Sequence, residues 1–102
     1  MTAPLTIEDF RVHLNTTFRI EEEGLALREL QLIQVDDLPA SVAADAEDAR
    51  RPFSLIFREA AATSYLAQRI YPLTHPQMGE LAVFLVPIGP DRVGMRYEAV
   101  FT

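Results

Sequence analysis

Apolar residues in the second half of the chain recur at alternate positions. Phe53, Leu55 and Phe57 alternate with Ser54 and Arg58, and Met95, Tyr97, Ala99 and Phe101 repeat the pattern near the C-terminus. A period of two sends successive side chains to opposite faces of an extended strand, whereas one face of a helix needs a period near 3.6. Glu80–Ile88 differs: Leu81, Val83 and Leu85 are apolar on one parity, and Ala82, Phe84 and Val86 on the other. Such a strand is expected to lie at the centre of the sheet, covered on both faces.

The remaining segments read in the same terms. Thr6 ahead of Glu8 and Asp9 predicts a helix start, because a threonine oxygen caps free amides and early carboxylates favour the positive end of the dipole. Ile7, Phe10 and Leu14 then fall at helical spacing, which predicts a short helix over Ile7–Leu14 that covers one end of the sheet, with Asn15 as its stop. Thr16–Glu21 follows as a strand with Phe18 and Ile20 inward, and Glu23-Gly24 as a hairpin turn. A strand over Leu25–Val35 changes apolar parity between Leu27 and Leu30, as a β-bulge would. Leu25 and Leu27 face in before the bulge, Leu30 and Leu32 after it.

Residues 36–51, rich in Asp, Glu and Ala, read as an exposed acidic loop with a helical turn over Ser41–Ala49. Pro52–Arg58 is a core strand with one wetter face. Arg69–His75 is an edge strand, since Pro72 has no amide proton to donate. Pro76–Gly79 and Gly89–Gly94 are turns. Phe10, Phe18, Phe53, Phe57, Phe84 and Phe101 are all assigned to the core. The sum is a mainly β fold: about six antiparallel strands forming a small barrel or two-layer roll, with a short N-terminal helix. A length of 102 residues suits one domain spanning 1–102.

Composition excludes several functions. The chain has no cysteine, which removes disulfides, thiolate zinc sites and cysteine nucleophiles together. Its formal charge is -6, and all nine basic residues are dispersed arginines, a poor surface for nucleic-acid phosphates. The apolar run Leu81–Ile88 falls far short of the roughly 20 residues a membrane helix needs. Met1–Leu5 lacks the basic start and apolar stretch of a signal peptide, so a cytoplasmic location without membrane attachment is the expectation.

No catalytic constellation stands out. A hydrolytic triad needs an oriented base, and the only imidazoles are His13 and His75. His13 reads as a solvent-facing residue on the helix. His75, ahead of Pro76, reads as a stabiliser of its turn. Neither their spacing nor the acidic loop matches a metal-ligand pattern, and Gly24, Gly79, Gly89 and Gly94 are isolated in turns, so no cofactor loop is present. Among the tyrosines Tyr65, Tyr71 and Tyr97, the last lies between Arg96 and Glu98, a grouping suited to an interface.

The strings Arg51–Arg58, His75-Pro76, Gly79–Leu81, Phe84–Gly89 and the closing Gly94-Met95-Arg96-Tyr97-Glu98-Ala99-Val100-Phe101, with Phe10–Phe18 near the start, together resemble an uncharacterised bacterial small-domain family of unknown function. Leu66–Tyr71 departs from its pattern. The resemblance carries no catalytic or ligand residues to transfer. It implies an accessory role beside phage tail-collar-like proteins. The expected function is therefore non-enzymatic: a structural or protein-interaction domain that binds a protein through a sheet edge or through Arg96, Tyr97 and Glu98, with homo-oligomerisation also compatible. A small-ligand-binding barrel is the alternative, and a hydrolase built on scattered carboxylates the third reading.

Overall fold

The strands pair in the order β1-β2-β3-β6-β5-β4, and β4 returns to β1 to close the ladder. The computed structural model describes residues 5–24, 26–38, 52–60 and 64–101. One helix, α1 (Ile7–Arg11), precedes β1 (Thr17–Ile20), β2 (Arg28–Asp37), β3 (Phe53–Ala60), β4 (Arg69–His75), β5 (Gly79–Pro90) and β6 (Gly94–Phe101). All pairings are antiparallel, and closure rests on Arg19↔Thr74 and Ile20↔Leu73. The barrel, rather than the two-layer roll, is the architecture. Closure joins β1 to β4 over only these two pairs, so Arg69–Pro72 of β4 extend past the seam without a β1 neighbour.

The inward set follows the period of two. Phe18 and Ile20, Leu30 and Leu32, Phe53, Leu55 and Phe57, Leu73, Leu85 and Tyr97 are all fully buried. Six strands enclose so little space that these side chains fill it. Phe18 and Phe57 meet edge to face at 5.3 Å in the interior.

Each mouth has its own plug. At the end where β3 begins, α1 lays Phe10 against Phe53 and Phe101, with ring centroids 5.8 and 5.3 Å apart, while those two rings stack on each other at 4.8 Å. At the end where β3 finishes, Leu66 is buried, and its amide donates to the Tyr97 hydroxyl over 2.9 Å. The Tyr71 hydroxyl donates to the Ala67 carbonyl over 2.6 Å. Two interior tyrosines thus hold the Leu66–Ala67 segment.

Several expectations need correction. The helix stops at Arg11, short of Leu14, and Leu14 is exposed; Asn15, at φ 71°, turns the chain toward β1. The register shift in β2 falls between Leu32 and Gln34, and Leu27 lies outside the strand and exposed, so the parity change near Arg28 marks the strand's start instead of a bulge. Leu25, the helical turn over Ser41–Ala49 and most of the acidic loop lie outside the described residues. Arg69–His75 is a wall strand of the closed barrel, but Pro72 itself has a free side, one residue past Leu73, the last β4 position paired with β1. Proline is tolerated there because the short β1 has run out.

The strand buried on both faces is β3, not β5. Ser54 and Ile56, on its outer parity, are buried, whereas Ala82, Phe84 and Ile88 of β5 are exposed. Apolar residues on both parities showed that β5 could tolerate cover on both sides, but periodicity carries no information about whether another element supplies it.

The glycine that opens β6, Gly94, has a steric reason. A Cβ on Gly94 would come within 2.7 Å of the Glu59 carbonyl carbon and 2.8 Å of Ala60 Cα, both backbone atoms of the paired strand. Gly94→Ala is expected to destabilise the fold by about 1–3 kcal/mol, the range for forced overpacking. Urea unfolding measures it, and an unchanged midpoint would show that the two strands separate without cost.

Candidate functional site

The alternation that defines β6 splits the Arg96-Tyr97-Glu98 group between the two faces of the barrel. Tyr97 points inward with no accessible surface, so its ring cannot meet a partner, and its hydroxyl is used on Leu66. Burial raises the Tyr97 phenol above its ordinary value, which keeps it neutral. Arg96 and Glu98 lie half-buried on the outer face. Arg96 Nε donates to the Gly89 carbonyl over 3.2 Å, at the register shift between Pro87 and Gly89.

Beside them runs an apolar strip that includes Phe84, whose expected place was the core. Phe84 is 46 % exposed, and its cross-strand partner Ile70 is 59 % exposed. Glu98 pairs with Val86, and the same register carried two residues further sets Val100, 50 % exposed, beside Phe84. Ile70, Phe84 and Val100 thus form a row across three strands, continued along β5 by Ala82, Val86 and Ile88. An uncovered apolar surface of this kind, rimmed by Arg96 and Glu98, has the character of a protein interface.

Two polar clusters lie away from this strip. Arg28 and Glu59 occupy inward positions of β2 and β3 at the Tyr97 mouth and form a bidentate pair, Nε–Oε2 2.5 Å and Nη2–Oε1 2.6 Å. Arg28 also donates to the Ser64 carbonyl over 2.7 Å. The hydrogen bond to Glu59 raises the guanidinium above its already high value. With its charge neutralised and its donors used, this cluster anchors the 64–68 segment and offers no free base.

The second cluster joins the two histidines, which the sequence keeps far apart. Their rings meet at 4.4 Å, and Phe18 packs on the other side of the His75 ring at 4.5 Å. His13 is therefore half-buried against His75, not solvent-facing on a helix. His75 does stabilise its turn: Nδ1 accepts the amides of Gln77 and Met78 at 3.1 and 3.3 Å. The Thr16 hydroxyl donates to the His13 carbonyl over 2.6 Å, so the proton on His75 belongs to Nε2, which donates to Thr16 Oγ1 over 3.0 Å. Burial, helped by His13, lowers the His75 pKa from 6.5. No chain pattern signals this pair, because barrel closure alone brings the β4 end to the α1–β1 turn.

A further carboxylate, Asp91, accepts the amides of Val93 and Gly94 at 2.9 and 3.0 Å and the Arg58 guanidinium at 2.9 Å. Those two backbone amides first, and then Arg58, hold it at about 2, an acceptor that fixes the β5–β6 turn. Among the described residues, no three His, Asp or Glu side chains gather as metal ligands, and no helix is long and apolar enough to cross a membrane.

The family model described as a domain of unknown function, DUF6916, matches residues 5–101. The chain belongs to that family. Neither the curated proteins nor the solved structures contain a match to it. The match spans α1, all six strands and both mouths, so the polar clusters and the outer strip lie within the family domain.

Removing one member of the Arg28–Glu59 pair leaves the other charge half-sequestered without a partner. Glu59→Ala and Arg28→Ala are each expected to cost about 3 kcal/mol, and the double substitution less than their sum. Urea titrations of the four proteins measure the coupling, and additive costs would mean that the pair is solvated.

Proposed function

We propose that the protein is a non-enzymatic protein-interaction domain whose docking surface is the outer face of β4, β5 and β6. The uncovered row Ile70, Phe84 and Val100 carries this reading, since large side chains on a barrel exterior lose nothing in solubility only when a partner covers them. The partner meets the face of the sheet, with aromatic and aliphatic contacts at the centre and Arg96 and Glu98 at the rim. The partner is a tail-collar-like protein, for which this domain serves as an accessory in a tail-like assembly; the family resemblance of the closing Gly94–Phe101 string supports that assignment.

The carrier reading has less support. The interior is occupied by Phe18, Phe57, Leu55, Leu85 and Tyr97, and the mouths by Phe10 and Leu66. Two concavities, near 540 and 570 Å³, are open grooves on the outside, lined largely by threonine and charged residues. Among the described residues, the hydrolase reading finds no cluster of carboxylates with a free base.

Co-purification of the full chain with a tail-collar-like protein encoded beside it tests the proposal. Phe84→Glu is expected to weaken association at least ten-fold while leaving the thermal midpoint within a few degrees, as befits an exposed central contact. Arg96→Ala and Glu98→Ala should weaken it less. Unchanged binding by the Phe84 variant would remove the strip from the interface, and a strictly monomeric protein with no association would end the reading.

A further inference from the structure

The His13–His75 contact stands where the helical plug meets the barrel. From His75 a hydrogen-bonded chain runs through Thr16 Oγ1 to the His13 carbonyl, and the His13 amide in turn donates to the Phe10 carbonyl over 2.9 Å. The next ties are backbone bonds to β2, from Asn15 to Leu32 and from Leu32 to Thr16, at 2.6 and 3.0 Å. Asn15, in the left-handed region at φ 71°, lies between the plug and those ties. Apart from an exposed ion pair of Arg11 with Asp37 of β2 at 3.7 Å, the geometry separates a plug, residues 5–13, from a barrel that remains bonded without it.

We propose that the His13–His75 ring pair is an acid-sensitive latch, and that protonating His75 releases α1 from the barrel mouth and uncovers the Phe53–Phe101 ring stack. Protonation has a definite structural consequence. Nδ1 would become a donor facing the Gln77 and Met78 amides, which are donors too, so the turn and the ring could no longer keep their present contacts. A charged His75 would also lie at ring contact with a second imidazole, His13, which offers it no negative partner.

The groups around His75 do not offset that charge. From β1, Arg19 and Glu21 share its outer groove, but Arg19 is paired with Glu29 at 3.1 Å, and Glu21 accepts the Thr74 hydroxyl at 3.2 Å. Phe18 covers one ring face and His13 the other. The β4–β5 turn contributes Gln77 and Met78, both uncharged, and no carboxylate pairs with His75 among the described residues. The sign follows from the lowered pKa. The fold prefers neutral His75, so its contribution is complete above the ordinary imidazole value of 6.5 and is lost as pH falls through the lower folded value.

Amide NMR spectra and fluorescence of a hydrophobic dye, recorded on the full chain from pH 7.5 to 4.5, test the latch. Resonances of residues 6–13 are expected to shift toward an open form and dye fluorescence to rise, while the β2–β3 and β3–β6 ladders stay protected. The opening constant should grow by up to ten-fold per pH unit for one proton taken up. His75→Asn keeps a side-chain acceptor for the two turn amides but cannot titrate there, and should hold the plug closed over the whole range. Should that variant fold poorly, His13→Gln, at a half-exposed site, should shift the transition to lower pH by removing the neighbouring ring that disfavours a charged His75. The proposal is overturned if the plug stays closed to pH 4.5, if plug and ladders are lost in one step, if His75→Asn opens like the wild type, or if His13→Gln leaves the transition where it was. None of these outcomes depends on the Phe84 strip, so the partner-binding reading stands or falls separately.

Discussion

Closure of the ladder through β1 and β4 is the constraint on which the rest of the structure depends. It consists of two residue pairs, Arg19↔Thr74 and Ile20↔Leu73. Without them six strands would form an open sheet with two unpaired edges and a half-wet inner face. With them the inner face becomes an enclosed core, and backbone groups at the seam find partners that water would otherwise supply. The short seam is reinforced beside β1 and β4 by Thr74, whose hydroxyl reaches Glu21, and by Arg69, which pairs with Glu22 at 2.8 Å while lying over the Tyr71 ring at 4.0 Å.

Closing the wall creates a second requirement, the sealing of two mouths. The two ends solve it differently. One is sealed by an apolar plug, Phe10 on a five-residue helix too short to persist without tertiary packing. The other is sealed by polar anchoring, with Tyr97, Tyr71 and the Arg28–Glu59 pair reaching the 64–68 segment. An inward salt bridge at a barrel end is costly to desolvate, but its bidentate geometry and the Ser64 carbonyl satisfy the guanidinium where a single ion pair would not. The apolar plug can lift away whole, whereas the polar seal is stitched to three strands, β2, β4 and β6. That asymmetry is why the histidine latch lies at the helical end.

The outer surface shows a third consequence. Closure commits each strand's alternate residues to the exterior, so an outward apolar row must be covered by another element or left for a partner. On β3 the outer positions Ser54 and Ile56 are buried; on β5 the outer positions Ala82, Phe84 and Ile88 are not. The same strand can therefore belong fully to the core and still present the largest exposed aromatic of the barrel wall.

Much of the fold was legible in the residues. Alternation identified β3, β6 and the inward Phe53, Leu55, Phe57, Met95 and Ala99, because a period of two is a local consequence of strand geometry. Pro76 and Gly79 marked their turn, and His75 was read as its stabiliser. What the sequence by itself determined was thus which side chains share a face. The tertiary structure alone decided which face is inside, as with Phe84 and Tyr97, and which distant residues meet, as with His13 and His75 or Arg28 and Glu59. The physical reason is that burial and proximity depend on how the ladder closes, and closure is a property of the pairing between strands that no single strand encodes.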